Sequence, residues 1–102
     1  MDDIIFLISQ ETRQDETGVI WQDESRRLVF CKKHDITRNE FYSAGRAGLN
    51  PEFSVDVFRG DYSGETVAEY AGARYAIYRT FLPENSDYRE LYLRREGGIN
   101  EH

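Results

Sequence analysis

Residues 65–82 read ETVAEYAGARYAIYRTFL, and this stretch decides the fold. Two β-type segments flank Ala71-Gly72, a dipeptide that suits a two-residue hairpin turn. If Tyr70 faces Ala73 across that turn, the pairing of the two strands follows residue by residue. The predicted pairs are Glu69 with Arg74, Ala68 with Tyr75, and Thr66 with Ile77. The stretch therefore predicts an antiparallel hairpin of defined register.

A second hairpin is predicted directly after the first. The turn Pro83-Glu84-Asn85-Ser86 leads into another β-type segment, residues 87–95. The simplest register places three pairs of side chains opposite each other: Arg79 with Glu90, Phe81 with Tyr88, and Tyr78 with Leu91.

The N-terminal half contains further strand-like segments. Residues 52–58 alternate, with Phe53, Val55 and Val57 inward and Ser54 and Asp56 outward. Residues 26–33 carry apolar side chains on both faces, Leu28 and Phe30 against Val29 and Cys31, which indicates burial from two sides. Residues 4–12, the turn signal at residues 15–18 and the group Val19-Ile20-Trp21 suggest a hairpin or a long arm.

About six short strands, with turn signals every 8 to 12 residues, predict an all-β fold. We expect a small antiparallel β-barrel or sandwich. At 102 residues, the chain has the length of one domain, residues 1–102, and Gly97-Gly98 begins a predicted flexible tail, residues 97–102.

One long loop of 14 residues, 37–50, interrupts the strands. Loops of this length in small domains are usually functional, and doubled back this one could project about 20 Å. A capping-box pattern, Thr37-x-x-Glu40, predicts one or two helical turns that end at Gly45 and Gly48. The candidate functional residues of this loop are Thr37, Arg38, Asn39, Glu40, Phe41, Tyr42, Ser43, Ala44, Gly45, Arg46, Ala47, Gly48, Leu49 and Asn50.

The net charge of −6 lies at one end of the chain. Residues 1–25 hold seven acids against Arg13, whereas acids and bases balance in residues 26–102. Such a chain lacks the basic footprint of a general nucleic-acid binder. The longest apolar run, residues 4–8, is too short to span a bilayer, and the lone Cys31 cannot form an intrachain disulfide, so we expect no membrane association and a cytosolic compartment.

Residues with catalytic or metal-binding chemistry are sparse. The histidines are His34 and His102, and Cys31-x-x-His34 supplies two of the four ligands that a zinc site needs. Glu65 and Glu69 share a strand face, but an acid/base pair also needs a cleft and unequal environments. We therefore expect no enzyme activity, metal or cofactor.

Two patterns also occur in proteins that bind nucleic acid. Residues 45–48 match the GxxG loop of KH domains, although the flanking helices of that domain are absent. The tyrosines at 62, 70, 75, 78, 88 and 92 could stack bases, but such platforms sit in positive grooves. We expect these aromatics to fill a core on one side and a subunit interface on the other. The interface candidates are Trp21, Tyr78 and Tyr92.

An ordered series of segments runs through nearly the whole chain: IIFLIS, VFCKK, ITRNEFYSAGRAGLNPEF, DYSGE, EYAGARYAIYRTF and RELYL. In this order and spacing, the chain resembles the phage head closure proteins, the head-to-tail connector or stopper proteins of siphovirus-type phages and prophages. The resemblance implies a small β-barrel that assembles as a ring, commonly of twelve subunits, below the portal and adaptor rings.

The ring in that family closes the DNA-filled head and offers a docking surface to the tail. A long loop of each subunit points into the channel, and its position matches residues 37–50 here. The resemblance further implies that packaged double-stranded DNA passes or is retained without sequence-specific binding. It implies a location in the virion connector, and in the host cytoplasm before assembly.

Two other functions fit the same features. Tail completion or tail terminator proteins are also small, β-rich and ring-forming. A small cytosolic β-barrel that binds an oligonucleotide or a protein is the third interpretation, supported by the tyrosines and by residues 45–48.

Overall fold

The computed structural model describes residues 3–96, which form a closed antiparallel barrel with one helix on its wall. The elements in chain order are β1 (Asp3–Gln14), β2 (Ile20–His34), α1 (Arg38–Arg46), β3 (Pro51–Phe58), a 3-10 turn (Arg59–Asp61), β4 (Val67–Tyr70), β5 (Ala73–Phe81) and β6 (Tyr88–Arg95). Around the barrel the strand order is β1-β2-β3-β6-β5-β4, and β4 pairs back onto β1. The predicted all-β fold of about six antiparallel strands is confirmed, and of the two expected arrangements, barrel or sandwich, the strands form a closed barrel. The predicted tail, residues 97–102, lies outside the described residues.

The first predicted hairpin is present in its predicted register. Glu69 pairs with Arg74, and Ala68 with Tyr75. Ala71 and Gly72 have φ angles of 51° and 83°, the two positive values of a type I′ turn, whose twist matches that of the flanking strands.

The register of the second hairpin differs from the prediction. Phe81 lies opposite Glu90, and Arg79 opposite Tyr92, so the strands are offset by two residues. The offset arises because β6 begins against β3, where Tyr88 pairs with Phe58, and so starts beyond the end of β5. A bulge between Ile77 and Arg79 adds a residue to β5 and reduces the offset to one residue, with Ile77 opposite Leu93.

The core fills the barrel with alternate side chains of every strand. Its fully buried members are Ile5, Leu7, Cys31, Val55, Val57, Ala68, Leu91 and Leu93, and Phe53 lies among them. The inward positions predicted for β3 are confirmed. Ser54 was predicted to face outward but is buried, and α1 contacts β3 as well as Tyr78 and Arg79 of β5.

β2 is buried on one face only. Val29 and Cys31 point into the core, whereas Leu28 is 48% exposed and Phe30 is 60% exposed. The expected burial from two sides is therefore not met within a single chain.

A long hairpin, here called the arm (residues 9–25), extends β1 and β2 beyond the barrel. β4 pairs with β1 only up to Ile8, and β3 pairs with β2 only from Cys31 onward. The arm residues therefore pair only with each other, from Ser9 with Ser25 to Gln14 with Ile20. Six residues on each side give an arm about 20 Å long. The two predicted segments, residues 19–21 and 26–33, thus lie in one continuous strand, except for Val19, which directly precedes it.

Among residues 3–96, no helix combines the length and apolar character needed to cross a bilayer.

Candidate functional site

Helix α1 occupies most of the loop that the sequence singled out. Thr37 is its N-cap, and the Thr37 side-chain oxygen accepts a hydrogen bond of 3.1 Å from the Glu40 backbone N–H. This contact satisfies one of the free N–H groups of the first turn. The short helix predicted from Thr37 and Glu40 is confirmed.

The helix ends in a Schellman motif. The N–H of Leu49 donates to the carbonyl of Ala44 at 2.9 Å, and the N–H of Gly48 donates to that of Gly45 at 3.0 Å. Gly48 has a φ of 81°, a backbone conformation that glycine adopts without steric cost. Gly48 therefore ends the helix as predicted, while Gly45 lies inside it.

Glu40 anchors the helix to the barrel wall. Its carboxylate accepts a hydrogen bond of 2.7 Å from the Tyr78 hydroxyl and one of 2.5 Å from Nη2 of Arg79. The Glu40 side chain is only 11% exposed. Burial alone would raise the pKa of Glu40, but the hydrogen bonds from Arg79 and Tyr78 outweigh it, and the net pKa is lowered. Glu40 therefore remains ionised and anchors the first turn of α1, while Ala44 is the buried residue of the second turn.

Tyr78 and Tyr92, two of the predicted interface residues, lie side by side next to this anchor. Their ring centroids are 6.4 Å apart, and the Arg79 guanidinium lies 4.1 Å from the Tyr92 centroid. Burial and a hydrogen bond to Glu90 raise the pKa of Tyr92 to about 12. Both rings are partly buried and engaged within the chain; their role at an interface stays a prediction.

The outer side of α1 is basic and aromatic. The Glu40 carboxylate points to the barrel. The exposed side chains of the helix include Arg38, Phe41, Tyr42 and Arg46. Phe41 and Tyr42 meet edge to face with centroids 6.1 Å apart. The loop thus presents two positive charges in a chain whose net charge is negative.

Trp21 lies in the arm, apart from Tyr78 and Tyr92 on the barrel. It is 42% exposed, and its neighbours Val19 and Ile20 are exposed as well. In the turn that joins the two strands of the arm, Asp15 Oδ1 accepts hydrogen bonds from the N–H groups of Thr17 and Val19 at 2.9 and 3.0 Å. The arm carries five acids against Arg13. The three apolar residues 19–21, here called the arm tip, therefore lie beside the turn of an acidic hairpin.

An exposed apolar surface crosses four strands of the barrel. Its members, here called the outer patch, are Ile4, Leu28, Phe30, Phe58 and Tyr88. Ile4 pairs with Phe30, and Phe58 with Tyr88, whose rings meet edge to face at 6.5 Å. The pairing of Cys31 with Val57 sets Phe30 and Phe58 at neighbouring positions. In the sequence, the one indication of this surface was that residues 26–33 carry apolar side chains on both faces of the strand.

The residues weighed for catalysis or metal binding serve structural contacts. Cys31 is buried, and desolvation raises the pKa of its thiol to about 11. His34 Nε2 lies 2.9 Å from Asp56 Oδ2. Glu65 is buried and accepts a hydrogen bond of 2.7 Å from Arg27. In the part of the chain that is described, no three His, Cys, Asp or Glu side chains converge as metal ligands.

Glu69 has a different ionic partner from the one its register suggests. It lies opposite Arg74 in the hairpin but forms its ion pair with Arg26, at 3.0 Å. Arg74 instead pairs with Glu24 of the arm and with Glu96. The base of the arm is thereby tied to β5.

Comparison with solved structures confirms the fold. The solution structure of a protein from Shigella flexneri 2a, a target of the Northeast structural genomics consortium, matches with a TM-score of 0.71. The match covers 96% of this chain and 95% of that chain, at 19% identity. At that identity the likeness shows the fold alone. No family model matches the chain, and no curated protein matches it.

Proposed function

We propose that this chain is a structural virion protein that forms a ring at the head-to-tail connector of a siphovirus-type phage or prophage. The ring closes the DNA-filled capsid below the portal and adaptor rings, and its lower side is the docking surface for tail proteins. Twelve subunits form the ring, as the resemblance implies. The observation that carries this proposal is the combination of a closed barrel with a projecting arm and an exposed apolar surface, features of an assembly subunit.

The charge distribution supports a conduit for DNA over a DNA-binding module. A net charge of −6 repels phosphates, so that double-stranded DNA slides past without adhering. The exposed side of α1 differs from the rest of the chain because it is positively charged. Arg38 and Arg46 are exposed there, whereas the Glu40 carboxylate is paired with Arg79 on the barrel. Residues 37–50 therefore suit a gate that touches DNA weakly at the channel axis.

The first experiment is microscopy of phage lysates. The gene is disrupted in a phage or induced prophage, and the particles are viewed by negative stain. Emptied heads beside separate, complete tails are the expected result, and a wild-type copy supplied in trans restores virions. Defective tails without heads would reassign the chain to tail completion. Normal virions would refute a structural role.

The gate is tested by deleting residues 38–49. β2 and β3 are antiparallel neighbours, with His34 opposite Ser54, so a short connection can bridge them. We expect a folded barrel and heads that lose DNA. Stable, full heads from this variant would remove the gating role while leaving the ring role intact.

A further inference from the structure

We propose that the outer patch of one copy binds the arm tip of a second copy of this chain. The contact joins two different surfaces, so repeated contacts run head to tail, and such contacts close into a ring when the rotation permits. The inference rests on the proposed function, since it names the interface by which that ring forms.

The outer patch has the area of an interface core. Its five side chains are each about half exposed. At roughly 200 Å² for a large side chain, they expose about 500 Å² together. A standard specific interface buries about 800 Å² per partner, of which somewhat over half is apolar. The outer patch therefore supplies the apolar part of one such face and leaves the remainder for a polar rim.

The arm supplies a matching apolar projection. Trp21 follows the exposed Val19 and Ile20 along the chain, with Ile20 on the opposite face of the hairpin. Tryptophan is among the residue types that are enriched at binding hot spots. The hydrogen-bonded ladder from Ser9 to Ile20 keeps the arm extended, so little conformational freedom is lost on binding.

The charges of the two surfaces are complementary. The arm holds five acids against one base. Lys32 lies two positions from Phe30 on the outer face of β2, and Arg59 directly follows Phe58; both are exposed. Within residues 3–96, neither side chain forms an ion pair, whereas many other bases do. An acidic arm laid over the outer patch meets these two cations at its rim.

Contact between two outer patches would be the simpler arrangement, but it fits less well. It would join two surfaces whose rims both carry the cations Lys32 and Arg59, with no acidic arm between them, and it would leave Trp21 in water. The arm therefore accounts for both uncovered apolar surfaces with one contact.

The single tryptophan makes the test direct, because Trp21 reports on the arm alone. A Phe30→Thr chain keeps the arm but lacks the centre of the patch. A Trp21→Ala chain keeps the patch and adds no tryptophan fluorescence. When the second is titrated into the first, we expect the Trp21 emission to shift to the blue and saturate.

The controls identify the surface that binds. A Trp21→Ala/Phe30→Thr chain, used as titrant, is expected to bind at least about 30-fold more weakly. A Trp21→Ala/Phe41→Thr chain is expected to bind like Trp21→Ala, since Phe41 is a similarly exposed phenylalanine on α1. Circular dichroism verifies that each chain is folded, and Leu28→Ser replaces Phe30→Thr if that variant unfolds.

Two results would overturn the inference. One is an unchanged emission up to roughly 1 mM titrant. The other is an equal shift with and without Phe30. Neither result contradicts the proposed function, which is tested separately by the heads and tails seen in lysates of the disrupted phage.

Discussion

Replacing Glu40 by Ala should detach α1 from the barrel while the barrel stays folded. The Tyr78 hydroxyl donates to Glu40 in a partly buried setting, and a hydrogen bond to a charged group contributes about 1.5–3 kcal/mol. The Arg79 side chain is 44% exposed, so that ion pair adds only about 0.5–1 kcal/mol. We expect a loss of about 2–3 kcal/mol in the stability of the docked helix, because the two contributions overlap at one carboxylate.

The loss should be local. A helix of nine residues is marginal in water, so α1 without its anchor unfolds far more often than the barrel does. At about 1.4 kcal/mol for each factor of ten, the amide hydrogens of residues 41–44 should exchange roughly 30–100 times faster. Exchange at Val55 and Leu91 in the barrel core should not change.

Hydrogen exchange measured by NMR tests this directly. Asn39→Ala is the matched control, because Asn39 is the exposed neighbour on the same turn of α1. Tyr78→Phe should give an intermediate rise in exchange, since it removes one of the two partners. Unchanged exchange in α1 after Glu40→Ala, or an equal rise in α1 and the barrel, would refute the anchor.

Three further predictions concern acid, glycine and the thiol. Glu40 and Glu65 have lowered pKa values in the folded state despite burial, so their stabilisation is present above the unfolded pKa and is lost as pH falls through the folded pKa. The melting temperature of the unaltered chain should therefore decrease when the pH is lowered below about 4, and the decrease should be smaller in Glu40→Gln. An equal decrease in both chains would contradict this role of Glu40. Gly48→Ala should destabilise by about 1 kcal/mol, whereas Gly45→Ala, equally open but helical, should stabilise by about 0.5–1 kcal/mol in a denaturant melt; equal effects would argue against the Schellman geometry. Cys31, buried and with its pKa raised to about 11, should resist a thiol reagent at pH 8 until the chain is unfolded, and rapid labelling of the folded chain would show that the barrel opens there.

The parts of the fold that the sequence predicted are those set by local chemistry. Ala71-Gly72 adopts the two positive φ angles of a tight turn, and this fixes the β4–β5 register without reference to the rest of the chain. Thr37 and Gly48 likewise define the ends of α1 from groups within a few residues.

The parts that failed depend on distant partners. The β5–β6 register was wrong because β6 takes its first pairing from β3, and the bulge of β5 at Tyr78 then changes the offset along the strand. No local pattern shows either feature. The partners of the Glu40 side chain were missed for the same reason, since Tyr78 and Arg79 lie on β5, far along the chain from the helix.

The outer patch could be foreseen in part. Apolar residues on both faces of β2 indicate two covered faces, yet the single chain covers only the one with Val29 and Cys31. A pattern of this kind cannot distinguish burial within a chain from burial between chains, because both remove the same side chains from water.

The arm and α1 differ in how they are held, and this difference bears on the roles proposed for them. The arm is joined along its whole length by strand pairing, so its position can change little without breaking many hydrogen bonds together. α1 is held by the Glu40 carboxylate in its first turn, on contacts worth about 2–3 kcal/mol, and by the burial of one small side chain, Ala44. A few new contacts in an assembly can offset this free energy. A static subunit contact therefore suits the arm, and a gate that must occupy two positions suits α1. On this reasoning, Glu40→Ala should alter the retention of DNA in filled heads without altering ring formation, whereas Phe30→Thr should do the reverse in assembly assays. If both variants impaired ring formation alone, the division of roles between arm and helix would be wrong.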